Sequence, residues 1–189
     1  MKYDAILVLD FGGQYCHLIG RRVREHSVYS EVVPHDITAR EIASLRGRFK
    51  VKGLILSGGP ASVYEENAPK SNPEILEWNL PVLGICYGHQ LLAQMIGGEV
   101  KPGQRKEYGI TYAIVDKAVG VLKGLSKKQR VWMSHGDTVY ALPKDYEILA
   151  HTENSPVAVF RHKEKPIYGL QWHPEVVHTK NGAKMLRNY

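Results

Sequence analysis

Through the first half of the chain the apolar residues fall in short continuous runs, and through the second half in shorter runs broken by turns. A continuous run suits a strand covered on both faces, because a half-exposed strand alternates apolar with polar positions. Residues 5–10, 29–33 and 53–56 read as such strands. Helical stretches separate them. One covers residues 14–25 after the turn Phe11-Gly12-Gly13, and the next is opened by Thr38-Ala39-Arg40-Glu41, which has capping-box spacing ahead of Ile42, Ala43 and Leu45. Residues 65–73 form a polar, proline-containing loop, Pro73 starts a short helix reaching Trp78, and Pro81 opens a central strand that ends at Ile85. After a helix over residues 90–96 the alternation of strand and helix stops. Gly97-Gly98 and Pro102-Gly103 punctuate the chain there, and the runs 110–115, 131–133, 147–150 and 157–160 predict an added strand-rich layer. A strand over residues 167–171 and a helix over 179–188 close the chain.

The chemistry begins where the run Val82-Leu83-Gly84-Ile85 stops at Cys86 and a helix-compatible run, Tyr87-Gly88-His89-Gln90, begins at once. A side chain at such a strand-to-helix turn projects above the sheet edge, beside a helix N-terminus whose unpaired N–H groups favour a thiolate. Gly84 lets backbone pass closely, and Gly88 lets the helix pack tightly behind the turn. On the elbow alone, a nucleophile and a buried structural cysteine are equally open readings. A second stretch, Gly169-Leu170-Gln171-Trp172-His173-Pro174-Glu175, ends an apolar strand in a histidine and a carboxylate two positions apart. Residues i and i+2 of an extended segment point to the same side, and Pro174 biases His173 toward extended geometry. Glu175 is then placed to orient the imidazole. Cys86, His173 and Glu175 supply what an activated thiol needs: a base for its proton and a third group that holds the base.

A loop at the carboxyl end of a strand is where ligands bind in open α/β sheets, and Ser57-Gly58-Gly59-Pro60-Ala61-Ser62 is one. Set against the Ser-Gly-Gly-x-Asp-Ser pyrophosphate loop it is deficient, since Pro60 lacks an N–H and Ala61 stands in place of the acid. The alternative is an oxyanion hole in which the Gly59 N–H pairs with that of Tyr87. The fold class expected is α/β: a flavodoxin-like doubly wound, mostly parallel sheet flanked by helices, with a small antiparallel strand extension.

With these residues together the sequence resembles the class I (triad) glutamine amidotransferases over nearly its whole length. The resemblance is carried by Phe11-Gly12-Gly13-Gln14-Tyr15, Ser57-Gly58-Gly59-Pro60, Gly84-Ile85-Cys86-Tyr87-Gly88-His89-Gln90, Ser134-His135-Gly136-Asp137 and Gln171-Trp172-His173-Pro174-Glu175-Val176. The first motif, Ser134-His135-Gly136-Asp137 and Val176 are similar to the amidotransferase part of GMP synthetase rather than to the anthranilate, aminodeoxychorismate or carbamoyl phosphate relatives. The resemblance implies that Cys86 attacks the side-chain carboxamide of glutamine, that His173 donates a proton to the departing ammonia, and that Gly59 and Tyr87 hold the oxyanion. It also implies glutamine-binding roles for Gln90 and for Ser134, His135, Gly136 and Asp137, the last four at a strand end with their backbone toward the amino-acid end of glutamine. By residue type alone Gln90 is equally a helix-surface amide, His135 a structural histidine, and Gln14 and Tyr15 an ordinary helix start. The resemblance further implies no cofactor in this chain, with ATP and magnesium on a separate ATP pyrophosphatase subunit that aminates XMP to GMP. That partner is expected as a separate subunit because no pyrophosphate loop occurs before Tyr189. Three rivals stay open: the amidotransferase of another synthase, a γ-glutamyl peptidase, and a non-catalytic binding module.

Composition narrows the partners more than the fold. A length of 189 residues with 43% hydrophobic content suits a single domain over residues 1–189 with a substantial core. The net charge of +6 raises the question of nucleic acid, with Lys101, Arg105 and Lys106 in one cluster and Lys123, Lys127, Lys128 and Arg130 in another. Neither cluster interleaves aromatics along the sequence, so a solvated face or one meeting an acidic partner protein is expected, and no nucleic acid. No apolar run approaches the roughly 18 residues of a membrane-spanning helix, and residues 1–10 lead into a strand without a basic leader. No membrane association and a cytoplasmic location are therefore expected. Cys16 and Cys86 make no disulfide framework, which fits a reducing compartment. Among nine histidines, His173 and His178 lie five apart around Pro174, and no His-x-x-x-His or Cys-x-x-Cys occurs, so no metal site is expected.

Overall fold

The computed structural model describes residues 2–45 and 47–189; Met1, the first residue of the expected leaderless start, and Arg46 lie outside them. In chain order the elements are β1 (Tyr3–Asp10), α1 (Cys16–Glu25), β2 (Tyr29–Pro34), α2 (Ala39–Leu45), β3 (Phe49–Leu56), β4 (Val82–Ile85), α3 (Tyr87–Met95), β5 (Glu99–Val115), β6 (Lys128–Ala141), β7 (Tyr146–His151), β8 (Val159–His162), β9 (Ile167–Leu170) and α4 (Gly182–Asn188). Among the described residues nine strands form one sheet in the order β2-β1-β3-β4-β9-β8-β7-β5-β6. The first five are parallel, as a doubly wound α/β sheet requires, and from β8 onward every pairing is antiparallel.

Burial on both faces explains the continuous apolar runs. Val8, Ile55 and Leu83 pack on one side with Cys16, Ile19 and Val23 of α1 and Met185 and Leu186 of α4. Leu7, Leu9, Leu54 and Leu56 pack on the other with Ile42 of α2 and Leu91 and Leu92 of α3. The capping box forms at α2: Thr38 N–H donates to Glu41 Oε2 at 2.8 Å and Glu41 N–H to Thr38 Oγ1 at 3.3 Å.

The second half departs from the expected layer. Its strands extend the same sheet, because β9 presents a free edge that β8 takes up antiparallel, pairing Val159 with Leu170. β5 runs straight through Pro102-Gly103, since the register shift between Pro102 and Glu107 absorbs the intervening residues as a bulge. β6 is likewise 14 residues long. Ser134-His135-Gly136-Asp137 therefore lies inside a strand rather than at its end. At smaller scale, the segment after Pro73 is a 3-10 turn ending at Leu76, α3 starts at Tyr87, and α4 starts at Gly182 after Asn181 takes a left-handed φ of 64°.

Two close approaches fix the position of α3. A Cβ on Gly84 would lie 2.3 Å from the Gly88 carbonyl oxygen, and one on Gly88 would lie 2.3 Å from that of Leu56. Both neighbours are backbone, so neither can swing aside. Gly88→Ala should consequently destabilise the fold by about 1–3 kcal/mol, read as a lower urea midpoint at unchanged slope; an unaltered midpoint would show that α3 can slide on β3.

Candidate active site

β4, buried at every position, delivers the chain to Cys86. There the backbone takes φ 53° and ψ −107° before α3 begins, a conformation that costs a non-glycine residue about 1–3 kcal/mol. The turn is tied on two sides: Cys86 N–H donates to Leu170 O at 2.9 Å, and Gly88 N–H to Ser57 O at 3.1 Å. Its thiol faces the Ser134 carbonyl oxygen at 3.5 Å.

Past the end of β9, His173 N–H donates to Trp132 O at 3.1 Å, and Thr179 Oγ1 donates to the His173 carbonyl at 2.6 Å. Nδ1 of His173 lies 2.7 Å from Oε1 of the buried Glu175. A carboxylate only accepts, so Nδ1 carries a proton and Nε2 is the nitrogen left for the thiol. Arg22 on α1 donates through Nε to the Glu175 carbonyl at 2.9 Å, and the Tyr15 ring stands edge-on to the imidazole at 5.4 Å. Gly58 lies against both side chains, since a Cβ there would lie 3.1 Å from His173 Cε1 and 3.6 Å from Cys86 Cβ.

Burial opposes a charge on His173, but attraction to the Cys86 sulfur and then the hydrogen bond and charge of Glu175 overcome it and raise the imidazole to about 11. This pairing is how a thiol is activated as a nucleophile. Cys16 is the contrast. Burial first, and Asp10 next, push its thiol up to about 12, which leaves it inert at neutral pH.

A cleft of about 700 Å³ opens over Cys86 and His173, and Gln14, Tyr15, Gly58, Gly59, Gln90 and residues 134–137 line it. Glu175 lies behind His173 and does not line it. Tyr87 does not line it, and its hydroxyl is turned away to donate to Pro69 O at 2.5 Å. Among the described residues no acceptor is found for the N–H of Gly59 or of Tyr87, the condition an oxyanion site needs. Gly59 could be no other residue, because a Cβ would sit 2.6 Å from the Phe11 carbonyl oxygen.

The far wall is built around a buried carboxylate that sequence reasoning missed. Glu107 accepts from His135 Nε2 at 3.0 Å, Thr152 Oγ1 at 2.8 Å and Ser155 Oγ at 2.7 Å. Burial works against its charge, yet those hydrogen bonds outweigh burial and hold its carboxyl below the usual range. His135 Nδ1 lies 2.7 Å from Asp137 O, and Gln90 Nε2 donates to the same oxygen at 2.9 Å. The His135 ring is thus tied into the wall, and its segment offers the cleft chiefly backbone. Asp137 Oδ1 accepts from Tyr64, which also lines the cleft. The signal that could have found Glu107 is parity: it shares the inward phase of Ala113 and Val115, opposite to exposed Tyr108, Ile110 and Tyr112.

A cysteine elbow, a His-carboxylate pair and a cleft between them match one family. The model of the family described as glutamine amidotransferase class-I covers residues 7–189. The chain belongs to the class I glutamine amidotransferases. Full-length similarity extends to a GMP synthase [glutamine-hydrolyzing] of Caldanaerobacter subterraneus subsp. tengcongensis, 48% identical over 189 residues, which are 100% of this chain and 36% of that one. The corresponding protein of Thermosynechococcus vestitus is 47% identical, with 100% and 35% covered. This chain therefore spans about a third of the length of these curated relatives. Among solved structures, a Thermoplasma acidophilum protein attributed to one subunit of GMP synthase superposes with a TM-score of 0.87 at 35% identity, covering 100% of this chain and 92% of that one. A Thermotoga maritima glutamine amidotransferase, at 23% identity and a TM-score of 0.70, shares the fold.

Two predictions concern this amidotransferase site. Because the Cys86 sulfur is the leading influence that raises His173, Cys86→Ala should move loss of the imidazole proton to lower pH. An NMR titration of the His173 Cε1 proton reads this, and an unshifted titration would show that Glu175 alone sets the charge. Glu107→Gln keeps the shape of the far wall but removes its charge. It should raise KM for glutamine roughly tenfold while kcat stays within about twofold; a fall in kcat at unchanged KM would place Glu107 in the chemical step instead.

Proposed function

We propose that this chain hydrolyses glutamine to glutamate and ammonia at Cys86 and supplies the ammonia to an ATP pyrophosphatase that aminates XMP to GMP. The observation that carries the hydrolytic part is the strained Cys86 turn beneath a cleft it shares with His173, whose Nδ1 is held 2.7 Å from Glu175. In this reading the Cys86 thiol gives its proton to His173 and the sulfur adds to the glutamine carboxamide carbon. The oxygen, now anionic, is held by the N–H groups of Gly59 and Tyr87. Collapse of that intermediate breaks the carbon–nitrogen bond as His173 returns the proton to the leaving ammonia. Neutral His173 then takes a proton from water, whose hydroxide attacks the γ-glutamyl thioester, releasing glutamate and the thiol. Gln90 and the backbone of residues 134–137 hold the amino-acid end.

The acceptor is supported by likeness to GMP synthases along the full chain, of which this domain is about a third. That the acceptor is a separate subunit is supported by the Thermoplasma protein, which this chain covers nearly end to end. ATP and magnesium belong to that partner. Ammonia released into water would be protonated and diluted, so coupling favours cleavage only when activated XMP waits.

The test is glutamine turnover by the chain alone, with an ATP pyrophosphatase subunit from the same organism, and with that subunit plus ATP, magnesium and XMP. Turnover should rise on each addition, vanish in Cys86→Ala, and fall further in His173→Ala than in Glu175→Gln. Equal turnover in all three conditions would remove the GMP reading, and faster cleavage of γ-glutamyl peptides than of glutamine would make the chain a peptidase.

A further inference from the structure

The β5–β6 hairpin leaves one face uncovered. Its inward positions, Ala113, Val115, Val131 and Met133, are buried in the core, whereas Tyr108, Ile110 and Tyr112 are 66%, 54% and 55% exposed. Across the ladder these three face Ser134, Trp132 and Arg130. The outward row of β6 thus reads Lys128, Arg130, Trp132 and Ser134, and that of β5 reads Lys106, Tyr108, Ile110 and Tyr112. No acidic side chain occurs at any of these outward positions. Cations and aromatics that looked separate along the sequence interleave here, because one strand carries most of the apolar rings and the other most of the charge.

Three observations say what covers it. The face is continuous with the active-site mouth: Lys106, Tyr108 and Ser134 line the cleft, and the Ser134 carbonyl oxygen is 3.5 Å from the Cys86 sulfur. In the function proposed above, ammonia is expelled from the carbon bonded to that sulfur, beside this rim. The similar GMP synthases carry nearly two thirds of their length outside the region that matches this domain, so in them further chain is joined to it. Of the three rings, finally, two already have a face covered, and only Tyr108 stands without a ring or cation contact among the described residues. Lys128 Nζ lies 4.4 Å over the Tyr112 ring, and His178 stacks on Trp132 at 4.6 Å. A single-stranded nucleic acid needs free aromatic faces, whereas a protein surface needs apolar area ringed by charge.

We propose that this face docks the ammonia-accepting ATP pyrophosphatase, whose apolar side chains meet the row Tyr108, Ile110 and Tyr112 and whose carboxylates meet Lys128 and Arg130. The proposal rests on the function given above and adds the surface. Its closest neighbour on the edge of β6 is the chain itself: Lys180 N–H donates to Arg130 O at 2.9 Å and His173 N–H to Trp132 O at 3.1 Å. Docking therefore uses the face of the hairpin, and the segment carrying His173 lies against the strand that is docked.

Ile110→Ser with Tyr112→Ser, and separately Arg130→Glu, test this at residues outside the cleft. Each variant is titrated with the ATP pyrophosphatase subunit by calorimetry, and each is labelled at Cys86 with a glutamine-mimicking electrophile in the absence of that subunit. Binding should weaken roughly tenfold or more, and glutamine-dependent GMP formation should fall until excess subunit restores it, with labelling of the isolated chain unchanged. Wild-type affinity in both variants, with the wild-type chain still stimulated by the subunit, would overturn the surface and leave the function standing. A wild-type chain that neither binds nor responds would overturn both. A wild-type dimer in sedimentation that the variants break, or a labelled single-stranded RNA that the variants release, would give the face to a second copy or to nucleic acid.

Discussion

The positive φ of Cys86 is the constraint around which the remaining site is arranged. A cysteine does not hold that conformation by its own preference, so the surroundings must supply the difference. They do so with backbone: β9 takes the Cys86 N–H, the loop after β3 takes the Gly88 N–H, and the Gly84–Gly88–Leu56 contacts allow no room for α3 to relax. The parallel half of the sheet is in this sense the support of one turn. β3, β4 and β9 must lie side by side, and the order in which the chain visits them places β9 last, arriving with His173.

Two buried histidine–carboxylate pairs face each other across the cleft, and their differences separate chemistry from support. His173 uses one nitrogen on Glu175 and keeps the other toward the sulfur, which is the arrangement of a group that moves protons. His135 spends both nitrogens, one on Glu107 and one on the Asp137 carbonyl, and Glu107 has two hydroxyl donors besides. Such a network stiffens the wall against which a substrate rests. A third histidine, His89, shows what burial does unpaired: burial, helped by the nearness of His135, lowers it to about 3, and it sits as a neutral ring against Phe160.

The parallel core and the meeting of Cys86, His173 and Glu175 were legible because each writes a local signature. Strands buried on both faces give continuous apolar runs, and Gly84, Cys86, Gly88 and His173-Pro174-Glu175 carry their spacing within a few residues. The antiparallel half hid its extent for the opposite reason. Exposed Tyr108, Ile110 and Tyr112 cancel the alternation that would mark β5, and Pro102-Gly103 and Gly109 read as breaks although the chain continues through a bulge and a φ of 90°. Glu107 was invisible because its partners lie 28, 45 and 48 residues away, and no local pattern reports a contact made by folding.

The same three exposed side chains that blur the reading of β5 lie on a stretch that the sheet requires for another reason. A strand needed only to wall the cleft could stop soon after Glu107, but β5 joins β7 through Ile114 and Val115 and so has to run on. It continues to Val115, paired with β6 as far as Ile114 and Lys128, and its inner face closes the core while its outer face holds large apolar groups in water. Burying an apolar side chain of this size contributes about 1.5–3 kcal/mol, so a row of three left exposed forgoes a sum comparable with a large part of a domain's net stability. The sheet requires the length of the strand but not that its outward side chains be large and apolar. The position of that outward row beside the Cys86 sulfur and its uniformly positive charge make it the part of β5 to which the docking proposal applies.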